Sequence, residues 1–481
     1  MQTNSLPVPA AVPRKSRRPW YILGFLLVLL AVPVSYYFLA SWWGNREIEE
    51  ICRELDQDDP HWRWPDLIAQ LKPPPDEKNA AGQVAKVHAL LKKTPFNPGP
   101  KWDNAPKDPL LYRNARLTEE QVDLLGSAFN ALGPEVLVEA RKLQHMPEGR
   151  FAIDPEKHAF ELPADHLAQT RAVLYLLQLD AVLRAQKGDM EATAESCQAI
   201  LNAAHVINDY PRREAQQLRV AGQSITVAAT ERMLGQGVVS EHKLRDLQAL
   251  LEREVADKPL YLALRGERAG VHHIYEQLRQ GNLSFSDLLG GNKGNPSWNG
   301  LFFDTFPNVI LNGYPELFRM MNELVQASKL KDVAQQEAIQ KVEQKASESR
   351  NMLTSLLIAP GYALKLAMAS QRSQAQMRCT IAALAAERYR LIHGAWPRVL
   401  DDLVKDGLLK EIPRDPYDGQ PVRWRRTATG VIVYCVGPDK IDNGGKFDRD
   451  DPTAVDTDLG FELWDAPRWR GTTPPANEDK P

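Results

Sequence analysis

An apolar run near the N-terminus constrains this chain more than any other feature. It extends from Trp20 to Trp43, and four basic residues precede it: Arg14, Lys15, Arg17 and Arg18. About 20 apolar residues can cross a bilayer as a helix, tryptophans are typical of membrane interfaces, and basic residues mark the cytoplasmic side. The run predicts one transmembrane helix over residues 19–43 of the inner membrane. Residues 1–18 would then be a cytoplasmic tail, and the rest of the chain would lie outside the cytoplasm.

A cleavable signal peptide is the alternative interpretation of the same run. Its apolar region would be about 7 to 15 residues long and would end in a small-x-small cleavage site. This run is longer, and Phe38 occupies the third position before a cut that would follow Ala40. The pattern therefore favours an anchor that is retained.

The composition limits the classes of partner. The 481 residues are 43% hydrophobic and 25% charged, which is ordinary for globular protein, and the formal net charge is −3. A nucleic-acid-binding domain would carry a basic stripe, so we expect no nucleic-acid partner. Contact with the membrane is expected through residues 19–43, and protein partners are expected for the remainder.

Helical signals dominate residues 117–376. Thr118 and Gln121 match a capping box, and Gly133 followed by Pro134 ends that helix. Apolar residues then recur at helical spacing between further breaks, which predicts a bundle of helical hairpins. The preceding segment, residues 44–116, is predicted to be helical next to the membrane and then proline-rich.

Two segments inside the helical body differ in composition from the helices around them. Residues 281–300 are polar and rich in glycine, which predicts a long loop. Residues 352–369 form a second apolar stretch that contains Lys365. Because a central lysine is costly in lipid, we expect a buried helix there and not a second membrane span.

Four cysteines allow two disulfides in three pairings in an oxidising compartment, and spacing alone does not choose among them. They are Cys52, Cys197, Cys379 and Cys435. Cys197 and Cys379 lie on apolar helix faces, which favours small buried side chains.

Residues 377–465 hold the densest local signals of the chain. A helix over Met377–His393 is closed by Gly394, and two alternating segments, Val422–Arg426 and Val431–Val436, predict a hairpin. A loop crowded with aspartates follows Gly437, and residues 466–481 are predicted to be a disordered tail.

This module resembles a known family through an ordered set of short motifs. They are Ala385-Ala386-Glu387-Arg388-Tyr389-Arg390, Gly394-Ala395-Trp396-Pro397, Pro413-Arg414-Asp415-Pro416, Asp418-Gly419-Gln420-Pro421 and Val433-Tyr434-Cys435-Val436-Gly437-Pro438-Asp439. They resemble the globular domain of the major pseudopilins of type II secretion. The whole chain is also similar to membrane-anchored bacterial proteins that carry this module. The resulting expectation is a mainly α protein with a transmembrane helix, a helical-hairpin bundle and a small α+β pseudopilin-like domain.

The resemblance implies a calcium site in the acidic loop. Asp439 matches the first loop aspartate of the family, and Asp448, Asp450 and Asp451 match its later acidic cluster. Asp442 completes the candidate ligand set, since calcium takes six to eight oxygens from a flexible loop. The alternative is a solvated acidic loop that is ordered by the Asn443-Gly444 turn alone.

No motif of known catalytic mechanism is present in the sequence. His272 and Glu276, at i and i+4 of a predicted helix, are the one pair suited to hold a metal, and no third ligand is identifiable. We therefore expect a non-catalytic, membrane-anchored scaffold or interaction protein linked to secretion or cell-surface assembly. The alternative is an envelope hydrolase with a site between the helical body and the C-terminal module.

Overall fold

The protein is described by a computed structural model that covers residues 18–94, 96–99, 113–154, 156–157, 161–288, 298–351, 353–354, 361–449 and 451–465. The prediction of a mainly helical protein is confirmed. Its α-helices are α1 (Arg18–Asp58), α2 (Trp64–Gln70), α3 (Ala80–Lys93), α4 (Glu119–Leu132), α5 (Pro134–Arg141), α6 (Asp165–Gln186), α7 (Met190–His205), α8 (Arg213–Gln236), α9 (Glu241–Ala256), α10 (Pro259–Gln280), α11 (Phe285–Leu288), α12 (Trp298–Thr305), α13 (Asn308–Leu311), α14 (Tyr314–Lys329), α15 (Asp332–Glu348), α16 (Tyr362–His393) and α17 (Asp401–Lys405). Its strands are β1 (Arg423–Arg426), β2 (Gly430–Cys435) and β3 (Leu459–Trp464).

Helix α1 contains the apolar run and continues past it. It is the one helix in the described part of the chain that is long and apolar enough to cross a membrane. Most of its described apolar side chains up to Trp43 are exposed, whereas Ile48, Ile51 and Leu55 in the same helix are buried. The predicted juxtamembrane helix is therefore the direct continuation of the apolar part of α1.

The buried apolar side chains form two cores. The first core lies among α3 to α9, the second half of α16 and the sheet. The second core joins the end of α1 to α10, α14, α15 and the first turns of α16. The buried side chains of α1 that the structure describes belong to the second core.

Helix α16 connects the two cores. It is about 48 Å long at 1.5 Å per residue, with Leu366 buried in the second core and Leu384 in the first. The helix begins well before Met377, the first residue of the predicted module. It ends where predicted, at Gly394, whose φ of 74° is the left-handed conformation that glycine adopts readily.

The C-terminal strands form an antiparallel sheet in the order β1-β2-β3. The predicted hairpin is confirmed, with Arg423 opposite Tyr434 and Arg426 opposite Val431. Strand β3 was not recognised in the sequence; it pairs with β2 from Gly430 to Cys435. The sheet packs against α16, and the likeness of this unit to a pseudopilin domain stays a prediction.

Several local predictions can be compared with the structure directly. The capping box at Thr118 and Gln121 is confirmed. Of the loop predicted over residues 281–300, residues 281–284 lie outside any helix. The prediction is wrong for residues 285–288 and 298–300, which belong to α11 and α12, while residues 289–297 lie outside the described residues. Of residues 352–369, the described part from Tyr362 onwards is helical, and Ala363, Leu366 and Ala367 are buried as expected.

Candidate functional site

The acidic loop leaves β2 at Gly437 and returns to β3 at Asp458. Asp439 closes it, because one carboxylate oxygen accepts a hydrogen bond from the Ile441 amide (3.1 Å) and the other accepts one from the Asp456 amide (3.1 Å). Both oxygens of this predicted ligand are therefore engaged with loop backbone.

Asp442 lies on the side of the loop that faces β1 and β2. Its Oδ1 accepts hydrogen bonds from the Tyr434 hydroxyl (3.1 Å) and the Gly444 amide (2.9 Å), and its Oδ2 accepts one from Arg423 Nε (3.1 Å). The guanidinium of Arg423 also donates to the buried carboxylate of Asp415 (2.9 Å). The single positive charge of Arg423 is thus shared among Asp442, Asp415 and Asp418.

The later aspartates form local turns. Asp448 accepts a hydrogen bond from the Asp451 amide (2.9 Å), and Asp451 accepts bonds from the amide (3.0 Å) and hydroxyl (2.7 Å) of Thr453. The hydroxyl hydrogen bond from Thr453 holds the pKa of Asp451 below its ordinary value. Asp450 lies outside the described residues.

One aspartate of the loop that was not in the candidate set is buried. Asp458 is 1% exposed and accepts hydrogen bonds from the amides of Gly445 (2.6 Å) and Asn443 (3.3 Å). Burial raises the pKa of its carboxyl group. Hydrogen bonds to the buried carboxylate of Asp458 therefore stabilise the Asn443-Gly444 turn.

The described aspartates of the predicted calcium set do not converge on one point. Asp439, Asp442, Asp448 and Asp451 contribute to no group of three ligand atoms within 4.8 Å of one another. A calcium cage needs six to eight oxygens around one centre. These four carboxylates alone do not fit that requirement, and the calcium site stays a prediction.

The predicted pair on α10 is brought together, but in a closed environment. His272 is 3% exposed; its Nε2 lies 3.4 Å from Glu276 Oε1, and its Nδ1 is 2.9 Å from the Tyr314 hydroxyl. The ring stacks on Phe318 at a centroid distance of 4.7 Å. Cys52 Sγ is 3.8 Å away, and burial raises the pKa of this thiol to about 11, so it is not a thiolate at neutral pH.

A different histidine lines a cavity of about 210 Å³ in the helical body. Charged and polar groups dominate its wall, which is formed by Lys72, Pro74, Glu148, Gly149, Arg150, His205, Asn208 and Asp209. Small-ligand sites are typically concave and carry a few fixed polar groups. This cavity is concave and offers fixed polar groups, but it lacks the mainly apolar lining of typical small-molecule sites. We treat it as the candidate site.

The segment before α6 forms one wall of the cavity and is fastened to α3. Asn79, the N-cap of α3, accepts a hydrogen bond from the Arg150 amide (2.9 Å) and donates one to the Arg150 carbonyl (3.1 Å). A Cβ on Gly149 would lie 2.7 Å from Ala80 Cβ and 2.9 Å from Val206 Cγ1. Glycine is therefore required where this segment crosses α3 and the end of α7.

The candidate histidine is held by a buried carboxylate. His205 is the last residue of α7, and its Nδ1 is 2.9 Å from Oε1 of Glu254 on α9. Oε2 of Glu254 accepts hydrogen bonds from Arg219 (2.7 Å) and Gln223 (2.9 Å), both on α8. Burial alone would raise the pKa of Glu254, but the hydrogen bond from His205 and the charge of Arg219 outweigh it and lower the pKa to about 2.

This cluster also has the spacing of a metal site. His205, Glu254 and Asp257 form the group of ligand atoms within 4.8 Å of one another that the described residues contain. However, Nη2 of Arg219 lies 2.7 Å from an oxygen of each carboxylate. The guanidinium occupies the position between the two negative charges, so the arrangement favours an arginine-neutralised cluster over a bound cation.

Glu254 engages one ring nitrogen of His205, and the second ring nitrogen is the candidate reactive atom. Because Glu254 engages Nδ1, the His205 side chain, which is 32% exposed, has Nε2 available to the cavity. A carboxylate at Nδ1 fixes the ring orientation and the tautomer, as in histidines that act as general bases. His205 can accept a proton from, or hydrogen-bond to, a hydroxyl group or water in the cavity.

Sequence reasoning missed this cluster, because its members are far apart in the chain and belong to no local motif. One local signal was available. Arg219 and Glu254 are charged residues on helix faces whose other members are buried. No protein family, curated protein or solved structure matches this chain.

Proposed function

We propose that this protein is a single-pass membrane protein whose body, outside the cytoplasm, is a scaffold or interaction protein of the cell envelope. The observation that carries the proposal is the course of α1. Its exposed apolar part leads, without a break in the helix, to Ile51 and Leu55, which are buried in the second core. A continuous helix of this kind transmits the position of the anchor to the body.

Polar contacts reinforce the joint between anchor and body. Ser41 Oγ donates a hydrogen bond to Asn312 Oδ1 (3.1 Å), and Arg319 Nε donates one to Glu47 Oε1 (2.6 Å). Gly44 also faces α14, and a Cβ there would lie at an ordinary contact distance of 3.5 Å from Pro315 Cγ. These contacts fix the orientation of the body relative to α1. A fixed orientation suits a protein that presents a surface at a defined height above a membrane.

The link to secretion or cell-surface assembly comes from the C-terminal unit. Its ordered motifs resemble those of pseudopilins, and its helix, hairpin and acidic loop follow one another in the order that the resemblance implies. In this proposal the C-terminal unit provides the partner-binding surface, and calcium would be its stabilising ion.

Two measurements test the proposal. Protease added to intact spheroplasts should digest the body, and residues that precede α1 should survive; a protected body would refute the orientation. Crosslinking in cells, followed by purification of the full chain, should yield a partner at a constant ratio. A control chain that ends after Asp58 keeps the anchor and lacks the body. A partner that is recovered equally with this control, or no constant partner, would refute the scaffold function.

A hydrolase is the second candidate, and the pairing of His205 with Glu254 at the cavity favours it. In this reading His205 Nε2 removes a proton from water that attacks a bound ester, amide or phosphoester. His205→Asn keeps a donor near the position of Nδ1 for Glu254 and removes the base, so turnover should fall by about 10² or more. His242→Asn, an exposed position on α9, is the control. Equal turnover in both variants would refute a catalytic His205.

A further inference from the structure

A short aromatic segment beside α1 leaves part of its outer face uncovered by the residues that the structure describes. Phe302, Phe306 and Val309 are 49%, 47% and 53% exposed. They are spaced at i, i+4 and i+7, and the Phe306 amide donates to the Phe302 carbonyl (2.9 Å) while the Val309 amide donates to the Phe306 carbonyl (3.1 Å). Residues at this spacing on helical turns share one face. We name residues 302–309 the aromatic segment.

The other face of the aromatic segment is fixed to the body. Phe303 packs against Phe285 with ring centroids 5.9 Å apart. Asp304 accepts hydrogen bonds from the Phe285 amide (2.6 Å) and from the hydroxyl of Ser286. The outward direction of Phe302 and Phe306 is therefore set by packing on the opposite side.

A hydrogen bond with α1 fixes one end of the aromatic segment. Asn312, three residues after Val309, accepts the hydrogen bond from Ser41. The next residues of α1 are Trp42 and Trp43, 50% and 64% exposed, at the end of the apolar run. Exposed tryptophans at the end of a span are typical of the membrane interface. The C-terminal end of the aromatic segment is therefore attached to α1 next to the end of the apolar run.

We propose that the aromatic segment is a second membrane contact, which inserts Phe302, Phe306 and Val309 at the boundary between lipid headgroups and acyl chains. This inference rests on the membrane anchoring proposed above. The exposed apolar surface of α1 reaches the end of the apolar run through Phe38 and Leu39, so the aromatic segment extends an apolar surface that already faces lipid. Helical segments with one aromatic, apolar face lie in the plane of the interface.

The segment would restrict the body beyond what α1 achieves. One helix allows the body to tilt relative to the bilayer, whereas a second contact away from the helix axis restricts that tilt. The face of the body that carries the aromatic segment would then always be turned toward the bilayer.

The test uses the full chain in lipid vesicles with a photoreactive amino acid. p-Benzoylphenylalanine replaces, one at a time, Phe306 in the aromatic segment, Leu29 in α1 and Val238 in the body; Leu29 and Val238 are 57% and 52% exposed. After illumination, mass spectrometry measures the yield of lipid adducts. Position 306 should give a yield comparable to that of position 29 and at least about tenfold above that of position 238.

Each outcome has a separate meaning. Lipid adducts at position 29 without adducts at position 306 would overturn the second contact and leave the anchor intact. Absence of adducts at position 29 would overturn the anchor and with it this inference. Adducts of position 306 with a second copy of the chain, in place of lipid, would identify the segment as a dimer contact and refute the lipid contact.

Discussion

A buried ion pair joins the C-terminal unit to the helical body, and its removal gives the sharpest prediction. Arg449, in the acidic loop, donates to both oxygens of Glu231 on α8, at 2.7 Å each. The side chain of Glu231 is 3% exposed. The change Arg449→Met keeps most of the volume of the side chain and leaves the Glu231 carboxylate without its main partner.

The expected loss of stability follows from the burial of Glu231. Removal of one partner of a buried pair costs about 3–5 kcal/mol, because the remaining charge is left in a poorly solvated site. Glu231 would keep the hydrogen bond from the Glu462 amide (2.9 Å) and the more distant Arg113 (3.7 Å). We therefore expect a loss of about 3 kcal/mol, at the lower end of this range.

Urea unfolding of the full chain in detergent micelles measures the effect. The control is Lys345→Met, which breaks a pair of the same 2.7 Å length whose side chains are 56% and 43% exposed. Exposed pairs are worth about 0–1 kcal/mol, so the control should be nearly neutral. Glu231→Gln in the Arg449→Met background should recover stability. Equal losses for Arg449→Met and the control would refute the reasoning from burial.

Four further outcomes are expected. Burial and the charge of Glu231 raise the pKa of Glu462 to about 7 from 4.5, so ionisation of Glu462 destabilises the fold as the pH rises between these values. Glu462→Gln should therefore raise Tm at pH 8 more than at pH 5. Equal increases in Tm at the two pH values would contradict this reasoning. Gly149→Ala should lower stability by about 1–3 kcal/mol, whereas Gly126→Ala, in an uncrowded helical position, should raise it slightly in the same urea titration. If the acidic loop binds calcium, about 1 mM calcium should raise Tm and a chelator should reverse the rise; identical melts would argue against the site. In an oxidising compartment a disulfide-exchange oxidase should join Cys379 and Cys435, whose Sγ atoms are 3.6 Å apart. Alkylation of the denatured chain without reduction should then label two of the four cysteines. Labelling of all four cysteines would contradict the pairing.

Local signals in the sequence predicted much of the fold. The capping box at Thr118, the glycine stop at Gly394 and the hairpin around Thr427–Gly430 all depend on neighbouring residues, and all three are present. Strand β3 was missed because its pairing partner is β2, which precedes it by a long acidic loop. The sequence predicted helix both over residues 352–369 and over Met377–His393. From Tyr362 onwards these are one continuous helix, α16, whose first turns belong to the second core.

The candidate site was beyond the reach of local reasoning. His205, Arg219 and Glu254 come from three helices and meet only after α7, α8 and α9 have packed. The sequence pointed instead to His272 and Glu276, which are neighbours on one helix but lie in an aromatic pocket where Tyr314 also binds the ring. Spacing along a helix identifies residues that share a face, but it does not tell whether that face meets a cavity or a core.

The buried polar and charged residues of α8 explain why the candidate site was missed and how the C-terminal unit is joined to the helical body. This helix has no clean apolar stripe, because Arg219, Gln223, Thr226, Thr230 and Glu231 are buried along it. Arg219 holds the carboxylate that orients His205, and Glu231 holds Arg449 of the C-terminal unit about 18 Å further along the helix at 1.5 Å per residue. Each buried charge is stable only because a partner from another element meets it. The cavity and the C-terminal unit are therefore fixed relative to each other by the same helix, and a scaffold built in this way presents both in one geometry.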